Sequence, residues 1–465
     1  MKRISPIEVY SLLPGTNCGE CKENSCMAFA TKLLNREVSI SLCTPLEKPE
    51  YKGKKEKLIE ILTPPVREVT IGVGEMAVKI GGKTVMYRHD LTFHNPTAIA
   101  IDVHDEMPEN ILLGRIKFIQ NFKIERIGQI LKLNMIALRS VSNNPEKFSK
   151  IVEFVLKNSN LPLILCSFNP AVMEAGLKVS SEKRPLIYAA TKENWEQFSE
   201  LAKKYKCPLA IFAPNKLDLL TTLAFSIKRK GVNELVLDPG TLYIGASLAD
   251  TLDNFVMLRR AAIERNDKRV GWPLLATPAT IWLTTKDPVE ASFKESSLAA
   301  IMINRYADVI ILHTTEVWGL LSLMTLRQEV YTDPRAPVRV EARLYTFGEP
   351  NGKSPVLVTS NFALTYYTVA SDIESAKMAC YLLVIDTEGI GVATGVAGRK
   401  FTADKIAEAI KSAELDKKVT HKKLIIPGMA ARLKGDIEDK TNWEVIIGPH
   451  DSSGIPSFLS KFWGN

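Results

Sequence analysis

Long apolar runs, histidines and phosphate-binding signatures are what this sequence is short of. No stretch of eighteen or more apolar residues occurs in its 465 residues, so neither a transmembrane helix nor a membrane partner is expected. The basic start MKRISPIEVYSLLPG is interrupted by Glu8 and Pro14, which makes it a poor signal peptide and points to a cytoplasmic protein. The 6 histidines show no metal-ligand spacing. Around Gly389, Gly391, Gly395 and Gly398 the G-x-x-x-x-G-K-[ST] pattern is missing. The G-x-G-x-x-G register fails too, because Thr394 stands three residues after Gly391, so nucleotide binding by either route is disfavoured. A formal charge of +8 is modest at this length, and the densest basic run, YKGKKEK at 51–57, has no aromatic repeats; no nucleic-acid partner is expected. No Ser–His–Asp or Cys–His arrangement stands out, nor a glycosidase-like pair of carboxylates.

Cysteine is sparse as well, with 7 in all, but four are crowded together. Cys18, Cys21, Cys26 and Cys43 follow C-x2-C-x4-C-x16-C, a spacing with which four thiolates can close around one iron–sulfur cube. Zinc is the rival, although structural zinc sites usually show two close pairs and only Cys18 and Cys21 form one. A disulfide framework is disfavoured for near neighbours in a chain that does not look secreted. Cys166, Cys207 and Cys380 stand singly in apolar surroundings and are expected to be buried, inert thiols.

Hydrophobic content of 46% and charged content of 24% describe a globular chain, long enough for two or three domains. The first block, residues 1–62, holds the cysteines. Helices are expected over about 5–13 and 26–36, and a charged, proline-bearing linker over about 44–66. The second block, 63–327, opens with an expected hairpin in which AVKI and KTVMYR flank Gly81-Gly82. Apolar runs then recur at 97–102, 134–139, 162–167, 185–190, 208–213, 234–239, 273–278 and 308–313, with amphipathic stretches between them. Eight such strands predict a closed (β/α)8 TIM barrel, an α/β architecture with helices outside. The third block, 328–465, offers PVLVTS, YLLVID, KKLIIP and WEVIIG, each followed by a helix-forming stretch. This pattern predicts a small doubly wound, Rossmann-like α/β domain with its ligand at the carboxyl ends of the strands. The loops there (359–367, 386–401, 427–435 and 448–458) are rich in Gly, Ser and Thr, which suits close approach to a large ligand. His313 ends the eighth barrel strand and can line a barrel-top site or serve as a hydrogen-bonded core residue.

The order of cysteine segment, barrel and α/β end domain resembles a known family. It is the large (gamma) subunit of the corrinoid iron–sulfur protein of the acetyl-CoA decarbonylase/synthase complex, in its archaeal form. The resemblance spans the chain and is carried by LLPGTNCGECKENSCMAFA, YTDPRAPVRVE, VTSNFALTYYTV, DTEGIGVATGVAGRKF, PGMAARLKGDIED and GPHDSSGIPSFL. It implies a 4Fe-4S cluster on Cys18, Cys21, Cys26 and Cys43. It also implies a base-off corrinoid (a cobamide) held by the C-terminal domain, contacted near Thr332, Val338, Phe362, Ala363, Leu364 and Thr365, with Gly395, Gly428 and Gly454 in supporting loops. No protein histidine on cobalt is implied; consistently, Asp102-Val103-His104 lacks the glycine of the D-x-H-x-x-G pattern, since Met107 stands in its place.

The implied partners are a small (delta) subunit as heterodimer, the acetyl-CoA synthase/decarbonylase subunits and a methyl-tetrahydropterin. The implied activity is a methyltransferase of one-carbon metabolism: a methyl group passes between tetrahydrosarcinapterin or tetrahydromethanopterin and a nickel–iron–sulfur centre. The cluster returns cobalt from its 2+ to its 1+ state, and the cobalt carries the chemistry, so no side chain is expected to be catalytic. The alternative is a non-catalytic corrinoid and electron-transfer module whose partner performs the transfer. A more distant one is a barrel that itself binds the methyl-pterin through groups such as Asp238 and Asn215.

Overall fold

The computed structural model describes residues 4–463. The chain forms two compact units, one from the chain up to Lys123 together with Lys132–Tyr331, the other from Ile124–Leu131 together with the chain from Thr332 onward.

The first unit begins with helix Pro6–Leu12, started by a reciprocal Ser5–Glu8 capping box and a proline in its first turn. Helix Cys26–Leu34 follows, with the Ser25 hydroxyl accepting from the Ala28 amide at its N-cap. Val9, Phe29, Ala30, Leu33, Leu46 and Leu58 are buried in a small apolar core that includes Cys26 and Cys43. The stretch expected to be a linker is mostly ordered: short 3-10 turns at Thr44–Glu47 and Pro49–Tyr51 lead into helix Lys52–Leu62. Its lysines face solvent while Leu58, fully buried, ties it to that core.

Strands β1 (Glu68–Ile71) and β2 (Val78–Gly81) pair antiparallel. This corrects the expected hairpin, because Gly81-Gly82 ends a strand that folds back onto earlier residues rather than turning into KTVMYR. Both glycines have positive φ, and a side chain on Gly81 would collide with the Arg67 carbonyl. Val69, Ile71 and Ile80 share one core with the inward residues of the barrel, so this hairpin closes the barrel's floor.

The barrel strands are β3 (Ala98–His104), then, after a small hairpin of β4 (Lys123–Arg126) and β5 (Gln129–Lys132), β6 (Met135–Arg139) and β7 (Leu163–Cys166). They continue with β8 (Leu186–Ala190), β9 (Leu209–Phe212), β10 (Leu235–Asp238), β11 (Leu275–Ala276) and β12 (Val309–Leu312). All eight expected runs are strands, parallel in the order β10-β9-β8-β7-β6-β3-β12-β11. A parallel bridge from Leu237 to Leu274 closes the ring. Ala98, Ala100, Ala137, Ala189 and Ala210 keep the interior narrow enough to be filled by side chains.

The second unit is a five-stranded mixed sheet, β13 (Leu344–Phe347), β14 (Val356–Ser360), β15 (Cys380–Ile385), β16 (Lys423–Ile426) and β17 (Glu444–Ile447), in the order β13-β15-β14-β16-β17. Four strands are parallel and match the four expected runs; the edge strand β13 is antiparallel and was not foreseen. Alternating residues feed two cores. Val356 and Val358 join Phe401, Ile406 and Trp443 on one face, while Leu357 joins Ile373, Leu382 and Leu459 on the other. The β4–β5 hairpin belongs to this unit and turns at Ile127-Gly128; Gly128 lies so close against Tyr367 that any side chain there would strike its ring.

Candidate functional sites

Cys18, Cys21, Cys26 and Cys43 all line one cavity, with Thr16, Asn17 and Phe29 beside them. The loop turns through left-handed conformations at Gly15, Asn17, Gly19 and Lys22, and the Asn17 side chain accepts from the Cys26 amide at 2.8 Å. Among the described residues no three His, Cys, Asp or Glu side chains converge on the point a single metal ion would occupy. The four thiols nevertheless share the lining of that one cavity, the donor set an iron–sulfur cluster takes. Burial raises the Cys43 thiol above its ordinary value, with the neighbouring cysteines adding to it and a backbone hydrogen bond at Leu46 opposing it. Of the single cysteines, Cys207 and Cys380 are buried and Cys166 is partly exposed at the end of β7; burial pushes all three thiols up to about 12.

A cleft of about 260 Å³, open to solvent, lies at the carboxyl ends of β14, β16 and β17. The chain runs from β14 to β15 on one side and then crosses to β16 on the other, so this is a switch point of the sheet, where open α/β folds take their ligands. Apolar Leu364, Val392, Met429 and Phe458 wall it, with Thr359, Thr365, Thr368 and His450 among them. The hydroxyls of Thr359 and the adjacent Ser360 are buried without a partner among the described residues. An orphaned hydroxyl beside an apolar cleft fits a bound group that offers both a polar atom and a large apolar surface. Asn361 organises the rim: its side-chain oxygen accepts from the Thr387 and Gly389 amides, each at 3.0 Å, and its amide donates to Asp386 at 2.9 Å.

The cofactor contacts implied by sequence are distributed around this unit. Leu364 and Thr365 line the cleft itself. A side chain on Gly428 would sit 3.0 Å from the Gly448 carbonyl and from the His450 ring, so glycine lets the two loops meet. Gly454 abuts Pro449 in the same way. Val338 accepts from the Ala363 amide at 2.9 Å, and Arg339 bridges Phe362, which places both ahead of helix Ala363–Ser375. Gly395 packs on Phe401 and Thr387, away from the cleft lining, and Thr332 opens the C-terminal segment of the unit. Thr359, Thr368, Met429, His450 and Phe458 were not singled out from sequence; all but Thr368 lie in segments noted for their composition, but nothing local marks which members face inward.

The barrel mouth is polar in a way its interior is not. Continuing the inward face of each strand by two residues gives Asp102, Arg139, Cys166, Tyr188, Phe212, Asp238 and His313. Asp102, almost fully buried, accepts from His313 Nδ1 and Arg139 Nε, both at 2.6 Å. Burial works against its charge, but the His313 hydrogen bond and the charges of His313, Arg139 and Arg115 hold the carboxyl below its ordinary value. Asp238 is fully buried, accepts from the Tyr188 hydroxyl at 2.7 Å and the Gly240 amide at 2.8 Å, and is pushed by burial up to about 7. Asn215 is exposed and receives the Asn254 amide at 2.8 Å. His104 sits partly exposed on the same inward face, its ring accepting from the Glu106 amide.

A cysteine-lined cavity, a closed barrel with a polar mouth and an α/β unit with a cleft at its switch point define a modular barrel protein with two candidate cofactor sites. A family model described as “CO dehydrogenase/acetyl-CoA synthase delta subunit” matches residues 68–459, and one described as “Putative Fe-S cluster” matches 13–45. The chain is 48% identical to acetyl-CoA decarbonylase/synthase complex subunit gamma 2 of Methanosarcina thermophila, over 100% of this chain and 99% of that one. It is 44% identical to the gamma subunit of Methanothermobacter thermautotrophicus, over 99% of each chain. To that of Archaeoglobus fulgidus it is also 44% identical, over 100% of this chain and 99% of the other. The chain belongs to the gamma-subunit family of the acetyl-CoA decarbonylase/synthase complex; the delta name attaches to a model that leaves out the cysteine segment, whereas the gamma relatives match from end to end. Among solved structures, dihydropteroate synthase from Thermus thermophilus is similar with a TM-score of 0.39 and 16% identity, over 57% of this chain and 100% of that one. Among the described residues no helix is long and apolar enough to cross a membrane.

Proposed function

We propose that the chain is a corrinoid- and iron–sulfur-bearing methyl carrier that works as a heterodimer with a small delta subunit. It would move a methyl group between a methyl-tetrahydropterin, such as that of tetrahydrosarcinapterin, and the nickel–iron–sulfur centre of acetyl-CoA synthase. The observation that carries this reading is the cleft at the switch point, apolar in its walls, with the unpartnered hydroxyl of Thr359 buried beside it. A corrinoid bound there would supply a nucleophilic metal able to take up and release a methyl group.

The protein's part is to bind and orient. Leu364, Thr365 and Met429 would press on the ligand and exclude water, while Gly428 and Gly454 keep the loops thin enough to reach it. Thr332, Val338, Phe362 and Ala363 would frame it from the segment before helix Ala363–Ser375, and Gly395 would hold the 386–401 loop in place. The four N-terminal cysteines would hold a 4Fe-4S cluster that restores the reduced carrier. This division of labour accords with three parts, 1–62, 63–327 and 328–465, the first having an apolar core of its own.

The visible spectrum and metal content of anaerobically purified protein test the reading. A broad iron–sulfur shoulder with corrinoid bands, about four irons and one cobalt per chain, is expected. A colourless protein containing zinc overturns it.

A further inference from the structure

We propose that Glu23 sets the reduction potential of the cluster on the four N-terminal cysteines, keeping it low in two ways: its carboxylate adds negative charge at the cavity, and it ties up the ammonium of Lys32. The inference rests on the methyl-carrier reading, in which the cluster hands an electron to the carrier, and it names the charge that makes the cluster a strong enough donor.

Among the described residues that line the cysteine cavity, Glu23 is the one acid, and neither Lys nor Arg is present. Its side chain is 13% exposed and accepts from Lys32 Nζ at 2.7 Å, while the Lys32 side chain is 42% exposed. Lys32 stands in the last turn of helix Cys26–Leu34, whose first residue is one of the four cysteines. Lys32 has no other ion pair among the described residues, so without Glu23 its charge would go unpaired beside the cysteine segment. The neighbouring charges of the loop are placed differently. Glu20 is exposed, lies off the cavity lining and accepts from the Thr44 hydroxyl, and Lys22 is exposed as well.

Reduction leaves a cluster with one more negative charge, so every fixed charge nearby acts on that difference. A carboxylate disfavours the added electron and an ammonium favours it, and both act more strongly where water is displaced. Cys26 and Cys43 sit in an apolar core with Phe29, Leu33 and Leu46, which screens poorly. The largely buried Glu23 therefore outweighs the more exposed and better screened Lys32. The carrier's chemistry asks for this sign. A metal nucleophilic enough to take up a methyl group is itself a strong reductant, so its donor must hold an electron weakly. The step moves one electron, from the reduced cluster to the carrier metal in its 2+ state, which becomes 1+ as the cluster is oxidised.

The test is an anaerobic redox titration of the full chain with dithionite and mediator dyes, followed by the paramagnetic resonance signal of the reduced cluster. Glu23→Gln should raise the midpoint by about 59 mV, a tenfold change in the one-electron equilibrium. Lys32→Met should move it the other way, and the double variant should return toward the parent. Glu20→Gln should move it much less than Glu23→Gln, because its carboxylate is exposed. Opposite signs in the two single variants are the signature of charge, since a salt bridge that only shaped the loop would be lost equally in both. A partly exposed pair contributes little to folding, and Lys32→Met reads the same charge balance without altering the cysteine loop. An unmoved midpoint in Glu23→Gln overturns the proposal, as do shifts of one sign in both single variants, and the cluster reading then stands. A parent chain that holds no iron overturns the cluster reading and this proposal with it.

Discussion

Asp238 shows how a single buried carboxyl couples a site to stability. It is the inward residue at the end of β10, has no cation paired with it among the described residues, and is charged only above about 7 because burial disfavours the ion. Folded protein therefore binds this proton more tightly than unfolded chain, and stability falls as pH rises from about 3.8 through about 7. The loss is at most about 4 kcal/mol and is complete above the folded value. Asp238→Asn removes the titration, and its amide oxygen can still accept from Tyr188. Melting temperatures should thus fall between pH 5 and pH 8 in the parent and fall less in the variant. Parallel curves would show that Asp238 does not titrate in that window. Asp102 is the opposite case, a buried carboxylate held below its ordinary value by His313, Arg139 and Arg115, and the contrast comes from neighbours just after β12, on β6 and on helix Glu109–Asn121 that no local pattern reveals.

Elements acquired roles that their sequences only partly announced. The charged stretch at 51–57 looks like solvated linker because lysines dominate it, yet one fully buried leucine anchors helix Lys52–Leu62 to the cysteine segment. Leu58→Ala should cost that small core about 2–5 kcal/mol. Limited proteolysis would then cut within 44–66 faster than in the parent, with the barrel's melting transition unmoved; equal cutting rates would show that the helix is not anchored this way. Strand β13 escaped notice because it has four residues of mixed exposure and no helix after it, so it carries neither the apolar run of a central strand nor a βα rhythm. The β4–β5 hairpin reads locally as an excursion between two barrel strands. Its place in the second unit comes from the fit of Gly128 against Tyr367, a partner 239 positions further along the chain.

At the scale of the whole molecule the roles proposed for the cysteine segment and for the cleft can be tested separately. Cys26→Ala removes one of four thiols and should abolish reductive reactivation of the carrier, while methyl transfer by protein already reduced stays intact. Reactivation at the parent's rate by protein lacking the cluster absorbance would overturn the cluster's assigned role. The amino-acid sequence by itself determined the eight barrel strands, the four parallel strands of the end unit and the four-cysteine spacing. Those features repeat over short windows, where apolar runs and ligand spacing are set by backbone geometry. Tertiary structure alone decided which loop residues line the cleft, that Thr359 is left without a partner there, that the floor hairpin pairs backwards, and that Asp102 meets His313 across 211 positions. Such pairings depend on closing a ring of strands, whose ends become neighbours only once every strand is in place.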